Sequence, residues 1–204
     1  MKTLIAVPCM DMVAAPFAQS LATLNREGEC LVSFLIGSLI YDSRNTLCKQ
    51  AITHDCDYVL WFDSDMVFEP DVLQKMLRHM EDGKDIVTGL YFRRRPPFTP
   101  VIFSEITFDE DERGTAIGYE DYPEDELFEV EACGFGCVMV RKEVLLDVLL
   151  GVVANDELSL RLQREERIEG NNTVNFGNRN TRSFRNEFLN FKWNVAVFLL
   201  NIAQ

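Results

Sequence analysis

Asp57-Tyr58-Val59-Leu60-Trp61-Phe62-Asp63-Ser64-Asp65 is the stretch that decides the fold. The apolar run from Tyr58 to Phe62, rich in aromatic and β-branched residues, predicts a strand buried on both faces, as parallel strands in α/β proteins are. It ends on two carboxylates. Side chains at i and i+2 of a strand share one side, so Asp63 and Asp65 are expected to converge just beyond the sheet edge. Two hard oxygen ligands there suit Mg2+ or Mn2+. The carboxyl end of a parallel sheet is also where open α/β folds bind ligands. The competing reading makes Asp63 a helix cap and Asp65 a solvated turn residue, and an isolated Asp-x-Asp does not separate the two.

Around this stretch, 204 residues with 47% hydrophobic content suffice for one sizeable core. The formal net charge of −13 argues against a nucleic-acid backbone as partner, since such binders need a basic face. A phosphate-bearing substrate would need local cations or a metal. The six cysteines (Cys9, Cys30, Cys48, Cys56, Cys133 and Cys137) form no C-x-x-C pair, and most sit in apolar runs as small core residues. A reduced, cytoplasmic setting is expected. Met1-Lys2 leads straight into a strand-like run, unlike a signal peptide, and no segment reads as a transmembrane span.

Upstream, Thr3 to Val7 predicts a first strand ended by Pro8, and apolar spacing from Met12 to Leu24 a helix. Cys30 to Ile36 reads as a second strand closed by Gly37. Ser43 is expected to cap a helix turning Leu47, Cys48, Ala51 and Ile52 inward. Downstream, Pro70 suits a first helical position, and Val72, Leu73, Met76, Leu77 and Met80 form one apolar stripe. Gly83 ends that helix, and Asp85 to Leu90 predicts a fourth strand. Strands alternating with helices at this spacing indicate βαβ units, hence an α/β fold with a Rossmann-like, mostly parallel sheet flanked by helices.

After Tyr91 the pattern changes. Arg93-Arg94-Arg95-Pro96-Pro97 is a basic turn, and Phe98 to Phe103 predicts a strand. Between Glu105 and Glu131 only Arg113 interrupts the acidic charge; this segment reads as a solvated excursion with edge strands, or as a cradle for a cationic acceptor. Leu127 to Ala132 alternates like a half-buried strand. Cys133-Gly134-Phe135-Gly136-Cys137 makes a glycine turn, Val138-Met139-Val140 a strand, and Arg141-Lys142-Glu143 opens a helix ending near Leu150. Residues 1–150 are thus expected to form the binding domain, and 151–204 a helical extension. Phe184, Phe188, Phe191, Val195, Phe198 and Ile202 recur at helical steps, a seam suited to packing on the domain or on a dimer mate.

A metal on Asp63 and Asp65 would keep open positions, for which a pyrophosphate is the usual ligand. Arg44, near the same sheet edge, is either a bidentate phosphate contact or a surface partner of Asp42. One of Arg93, Arg94 and Arg95 is expected to reach phosphate, with the others solvated.

The strand ending in Pro8, the Ser43-Arg44-Asn45 helix start, the strand into Asp63-Ser64-Asp65 and the Gly134-Phe135-Gly136-Cys137-Val138-Met139-Val140-Arg141 segment resemble GT-A-type glycosyltransferases, most closely small bacterial and phage members, over residues 3 to 150. The resemblance implies a UDP- or GDP-linked sugar donor, an acceptor that the sequence does not name, and Mn2+ or Mg2+ on Asp63 and Asp65. It implies nucleotide contacts from Cys9, Met10, Asp11, Arg44 and Ser64, with Gly134, Phe135 and Gly136 against donor sugar or acceptor. Members of the family carry an acidic E-D-x-x-F motif that supplies a catalytic base. Here Asn155-Asp156-Glu157-Leu158-Ser159 is the candidate, with the acids displaced, so Asp156 or Glu157 would be the base. A later histidine that completes the metal site in the family has no counterpart.

Two other readings stay open. One is a glycosyltransferase-like module that binds nucleotide without turnover. The other is a haloacid-dehalogenase-like phosphohydrolase, in which Asp63 attacks phosphorus and Asp65 is the acid/base.

Overall fold

The computed structural model describes residues 1–37, 39–109, 114–123, 126–147 and 195–198. The chain divides into two compact units, Met1–Lys142 with Asn194–Gln204, and Glu143–Trp193. Of the second unit, residues 143–147 are described, and they are helical.

In the first unit the elements are β1 (Lys2–Cys9), α1 (Ala15–Thr23), β2 (Glu29–Ile36), α2 (Ile40–Thr53), β3 (Tyr58–Phe62), α3 (Val72–Glu81), β4 (Ile86–Gly89), β5 (Ile102–Phe108), β6 (Gly114–Gly118), β7 (Phe128–Glu129), β8 (Ala132–Cys133), β9 (Cys137–Arg141) and β10 (Val195–Phe198). Among the described residues they make a seven-stranded sheet, β2-β1-β3-β9-β4-β10-β7, and a three-stranded one, β6-β5-β8. β2, β1 and β3 are parallel, as are β4 and β10. β9 is antiparallel to both β3 and β4, and β7 is antiparallel to β10 at the edge. The expected α/β architecture, a Rossmann-like and mostly parallel core flanked by helices, is the observed one.

All five residues of β3 are buried. Tyr58, Leu60 and Phe62 join Ile5 and Val7 of β1 in one cluster with Phe17 and Leu21 of α1 and with the α3 stripe Val72, Leu73, Met76, Leu77 and Met80. Val59 and Trp61 alternate to the opposite side and are equally buried, and α2 packs on β1, β2 and β3, burying Leu47 and Ala51. Helices thus flank the sheet on both sides, which is why the strand reads as a continuous apolar run. Phe62 stacks on Phe68 with centroids 4.1 Å apart, and Phe17 meets both rings edge-on. Arg141 leaves β9 to donate to the carbonyls of Met80 and Lys84, so one guanidinium ties the carboxyl end of α3 to the sheet. Gly83, at φ +88, ends that helix as its spacing predicts.

Several boundaries differ from expectation. α2 begins at Ile40, and Ser43 is a buried residue inside it whose N–H donates to the Leu39 carbonyl; it caps nothing. The exposed apolar residues Leu39, Ile40 and Tyr41 hid this start, because a helix opening on apolar side chains carries no capping signal. Pro70 lies in the turn ahead of α3. β5 begins at Ile102, since the proline-rich turn extends further than the apolar run suggests. The alternating stretch from Leu127 to Ala132 splits into β7 and β8, which belong to different sheets.

The expected terminal helix is corrected at the four residues where it can be judged. Val195–Phe198 forms β10, parallel to β4 and antiparallel to β7. A Val-Ala-Val-Phe run has strand propensity of its own, and the unpaired edge of β4 supplies hydrogen bonds that outweigh a helical period. The rest of 151–204, with Asp156 and Glu157, lies outside the described residues.

Candidate functional site

β3 ends at Phe62, one residue before the first carboxylate. The Asp63 N–H still donates to the Gly136 carbonyl at 2.9 Å, and the Met66 N–H closes a turn onto the Asp63 carbonyl at 3.2 Å. Ser64 sits in that turn, and its carbonyl accepts from the Ala14 N–H at 3.0 Å, which ties the turn to the start of α1. Asp65 therefore reaches the site through a tight turn and not, as the i, i+2 argument supposed, along the strand. The two carboxylates still share one place. Asp63, Ser64 and Asp65 line an open cleft of about 230 Å3 together with Pro8, Cys9 and Met10 from the end of β1, Ile40 and Ser43 from α2, and Arg94.

Each carboxylate faces a guanidinium. Arg44 lies 3.5 Å from Asp63 Oδ1, so its partner across the cleft is Asp63, and Arg94 pairs with Asp65 Oδ2. Arg44 is held from its other side by the Phe135 ring, 4.6 Å away, and Phe135 in turn leans on Trp61 at 5.6 Å. Burial at the sheet end pushes the Asp63 carboxyl above its ordinary value, although Arg44 and then Arg94 pull it down. Desolvation is the larger effect.

The glycine turn is fixed by Tyr91, two residues beyond β4. Gly136 N–H donates to the Tyr91 hydroxyl at 3.0 Å, and Gly134 N–H to the Val101 carbonyl at 2.8 Å. A Cβ on Gly134 would lie 2.0 Å from that hydroxyl oxygen, and one on Gly136 3.2 Å from Asp63 Oδ2. A side chain at Gly134 would force Tyr91 or Val101 to move, and one at Gly136 would crowd Tyr91 and Asp63. Gly134, Phe135 and Gly136 thus act on the cleft through Asp63 and Arg44 and are not among its lining residues.

Of the residues expected at the nucleotide, Cys9, Met10 and Ser64 line the cleft, and Arg44 adjoins it through Asp63. Asp11 is exposed beyond β1, its carboxylate accepting from the Met12 N–H at 2.8 Å, and it is not a lining residue. Sequence reasoning did not single out Pro8, Ile40 and Ser43 as lining residues, and passed over Tyr91. The basic turn was expected to send one of three arginines toward this sheet edge without saying which; Arg94 is the one that lines the cleft.

Among the described residues no three His, Cys, Asp or Glu side chains group to enclose an ion. The chemistry of the pair nonetheless fits a hard divalent cation that keeps several open positions. Asp65 Oδ1 is buried and has no hydrogen-bond partner, a free lone-pair donor beside a second carboxylate. Among the described residues no helix is long and apolar enough to cross a membrane.

Comparison with known proteins places the site in context. The model of "Glycosyl transferase family 2" matches residues 40–149, from the start of α2 past β9. Of solved structures, A197 from STIV superposes with a TM-score of 0.60 at 16% identity, covering 99% of this chain and 84% of its own. S. aureus TarS 1–349 in complex with UDP gives 0.45 at 16% identity over 72% of this chain and 48% of that one. The 4-diphosphocytidyl-2C-methyl-D-erythritol synthase of Anaerococcus prevotii gives 0.45 at 11% identity, over 98% and 90%. No curated protein matches in sequence.

Proposed function

The chain belongs to glycosyl transferase family 2, and from that we propose that it moves a sugar from a UDP- or GDP-linked donor to an acceptor, with Mn2+ or Mg2+ on Asp63 and Asp65. The observation that carries the proposal is the meeting, at the carboxyl end of the central strand, of two carboxylates and Arg94 in one cleft, with Arg44 paired to Asp63 beside it. That charge pattern suits a metal diphosphate and gives an uncharged ligand nothing to exchange with. The family match favours glycosyl transfer over phosphohydrolysis.

In this reading Cys9 and Met10, with the exposed Asp11 beyond them, take the nucleoside at the end of β1, and the Ser64 turn holds the carboxylates in register. Arg44, braced by Phe135, and Arg94 donate to the diphosphate. The divalent ion, when bound, supplies positive charge against the negative charge that builds on the departing diphosphate. Gly134 and Gly136 bring the turn close enough for Phe135 to flank donor sugar or acceptor. Asp156 or Glu157 removes the acceptor proton as general base, if transfer inverts configuration. The six free cysteines fit a reducing, cytoplasmic setting.

The test is release of nucleoside diphosphate from a panel of UDP- and GDP-sugars with Mn2+ or Mg2+. Turnover with one donor, lost in Asp63→Asn and Asp65→Asn, is the expected result. Nucleotide binding with no sugar release from any donor would leave a binding module in place of an enzyme.

A further inference from the structure

Resting on that reading of the cleft, a further inference comes from the two ion pairs, which are held very differently. Arg44 is confined: its side chain is 30% exposed, its guanidinium carbon lies 4.6 Å over the Phe135 ring, and its Nε is buried without a partner. Arg94 is 62% exposed and stands in the basic turn 93–95 after β4, reaching back over the cleft to Asp65. Two carboxylates and two guanidiniums sum to zero. A divalent ion added to that cluster would sit within a few ångströms of two positive groups, each costing several kcal/mol at roughly ε 20. The ion becomes favourable once a guanidinium leaves, and the more exposed, less confined one is Arg94. Removed from Asp65, Arg94 needs another anion, and a diphosphate on the same ion is the one at hand.

We propose that Arg94 is a displaceable counterion, closing Asp65 while the cleft is empty and passing to the diphosphate when a divalent ion takes Asp65. Cation and diphosphate then bind weakly alone and tightly together, because each relieves the charge that the other introduces. Free ion is excluded from the pair, while the metal complex of a nucleotide is admitted. Arg44 does not exchange; it stays on its ring and meets the diphosphate from a fixed position.

Two titrations on the full chain test this. Mn2+ alone, followed by electron paramagnetic resonance of the free ion, should bind Arg94→Ala about tenfold more tightly than the wild type, the scale of one charge-assisted hydrogen bond. UDP and GDP at saturating Mn2+, followed by equilibrium dialysis, should bind the same variant about tenfold more weakly. The opposite signs are the signature, since a folding defect would weaken both. Arg95→Ala, in the same turn, should move neither. If Arg94→Ala weakens both ligands or alters neither, while the wild type binds them and Asp65→Asn does not, the exchange is overturned and the site stands. If the wild type binds neither Mn2+ nor nucleotide in any combination, the reading of the cleft falls and the exchange with it.

Discussion

Phe135 touches Arg44 on one side and Trp61 on the other, so the orientation of the guanidinium proposed to meet the diphosphate depends on an aromatic ring in a glycine turn. Phe135→Ala should weaken nucleoside diphosphate binding about fivefold, the loss of roughly 1 kcal/mol of cation–π contact, measurable by calorimetric titration. Phe135→Tyr should retain it. Tyr91 is a second support. Burial pushes its phenol from the ordinary 10 up to about 12, against the Gly136 N–H that donates to it. At neutral pH Tyr91→Phe leaves that buried N–H without an acceptor and should cost about 1–3 kcal/mol. Between pH 10 and pH 12 the unfolded wild type loses the Tyr91 proton while the folded protein keeps it, so the wild type loses stability there and the variant does not. Denaturant unfolding at pH 8 and pH 11 should therefore show the gap between the two narrowing; a constant gap would mean the phenol is not protected. Gly134→Ala would drive a methyl group to 2.0 Å from the Tyr91 hydroxyl oxygen and 2.5 Å from Val101 Cγ1, and should destabilise by about 1–3 kcal/mol.

Among the elements, those whose signal was local could be read from sequence. β3 was legible because both its faces are covered, and the α3 stripe because one face packs on the sheet. What could not be read depends on distant partners. β9 runs antiparallel between β3 and β4, and nothing in Cys137 to Arg141 records its direction. β10 was read as helix because Phe and Val recur at steps of four and three, while the free edge of β4 decides otherwise. Val197 pairs with Thr88 on one side and Phe128 on the other. Val197→Pro would remove an N–H from an inner strand, costing at least about 1 kcal/mol. A lowered melting temperature is expected; an unchanged one would mean that β10 adds nothing to the sheet. The site shows the same division. Asp63 and Asp65 followed from a short motif, whereas the pairing of Arg44 with Asp63 and of Arg94 with Asp65 joins residues 19 and 29 positions apart. Sequence spacing carries no record of such contacts.

Taken as a whole, the molecule carries a formal charge of −13 yet places arginines where the candidate ligand is most negative. Its overall field repels a nucleotide at long range, so binding must come from close contacts and should depend less on salt than binding to a cationic surface would. The architecture supplies those contacts together. The end of β1, the start of α2, the turn after β3 and the arginine turn after β4 all open on one cleft, although the chain between them spans most of the first unit. The central claim is that Asp63 and Asp65 jointly hold a divalent ion that binds a diphosphate. The most direct measurement is an anomalous difference map, at the manganese edge, from crystals grown with Mn2+ and a nucleoside diphosphate. One peak within roughly 2.3 Å of both carboxylates, with diphosphate oxygens completing its shell, is the expected result. A diphosphate bound in the cleft with no peak at the two aspartates, or a peak bound elsewhere, would contradict it.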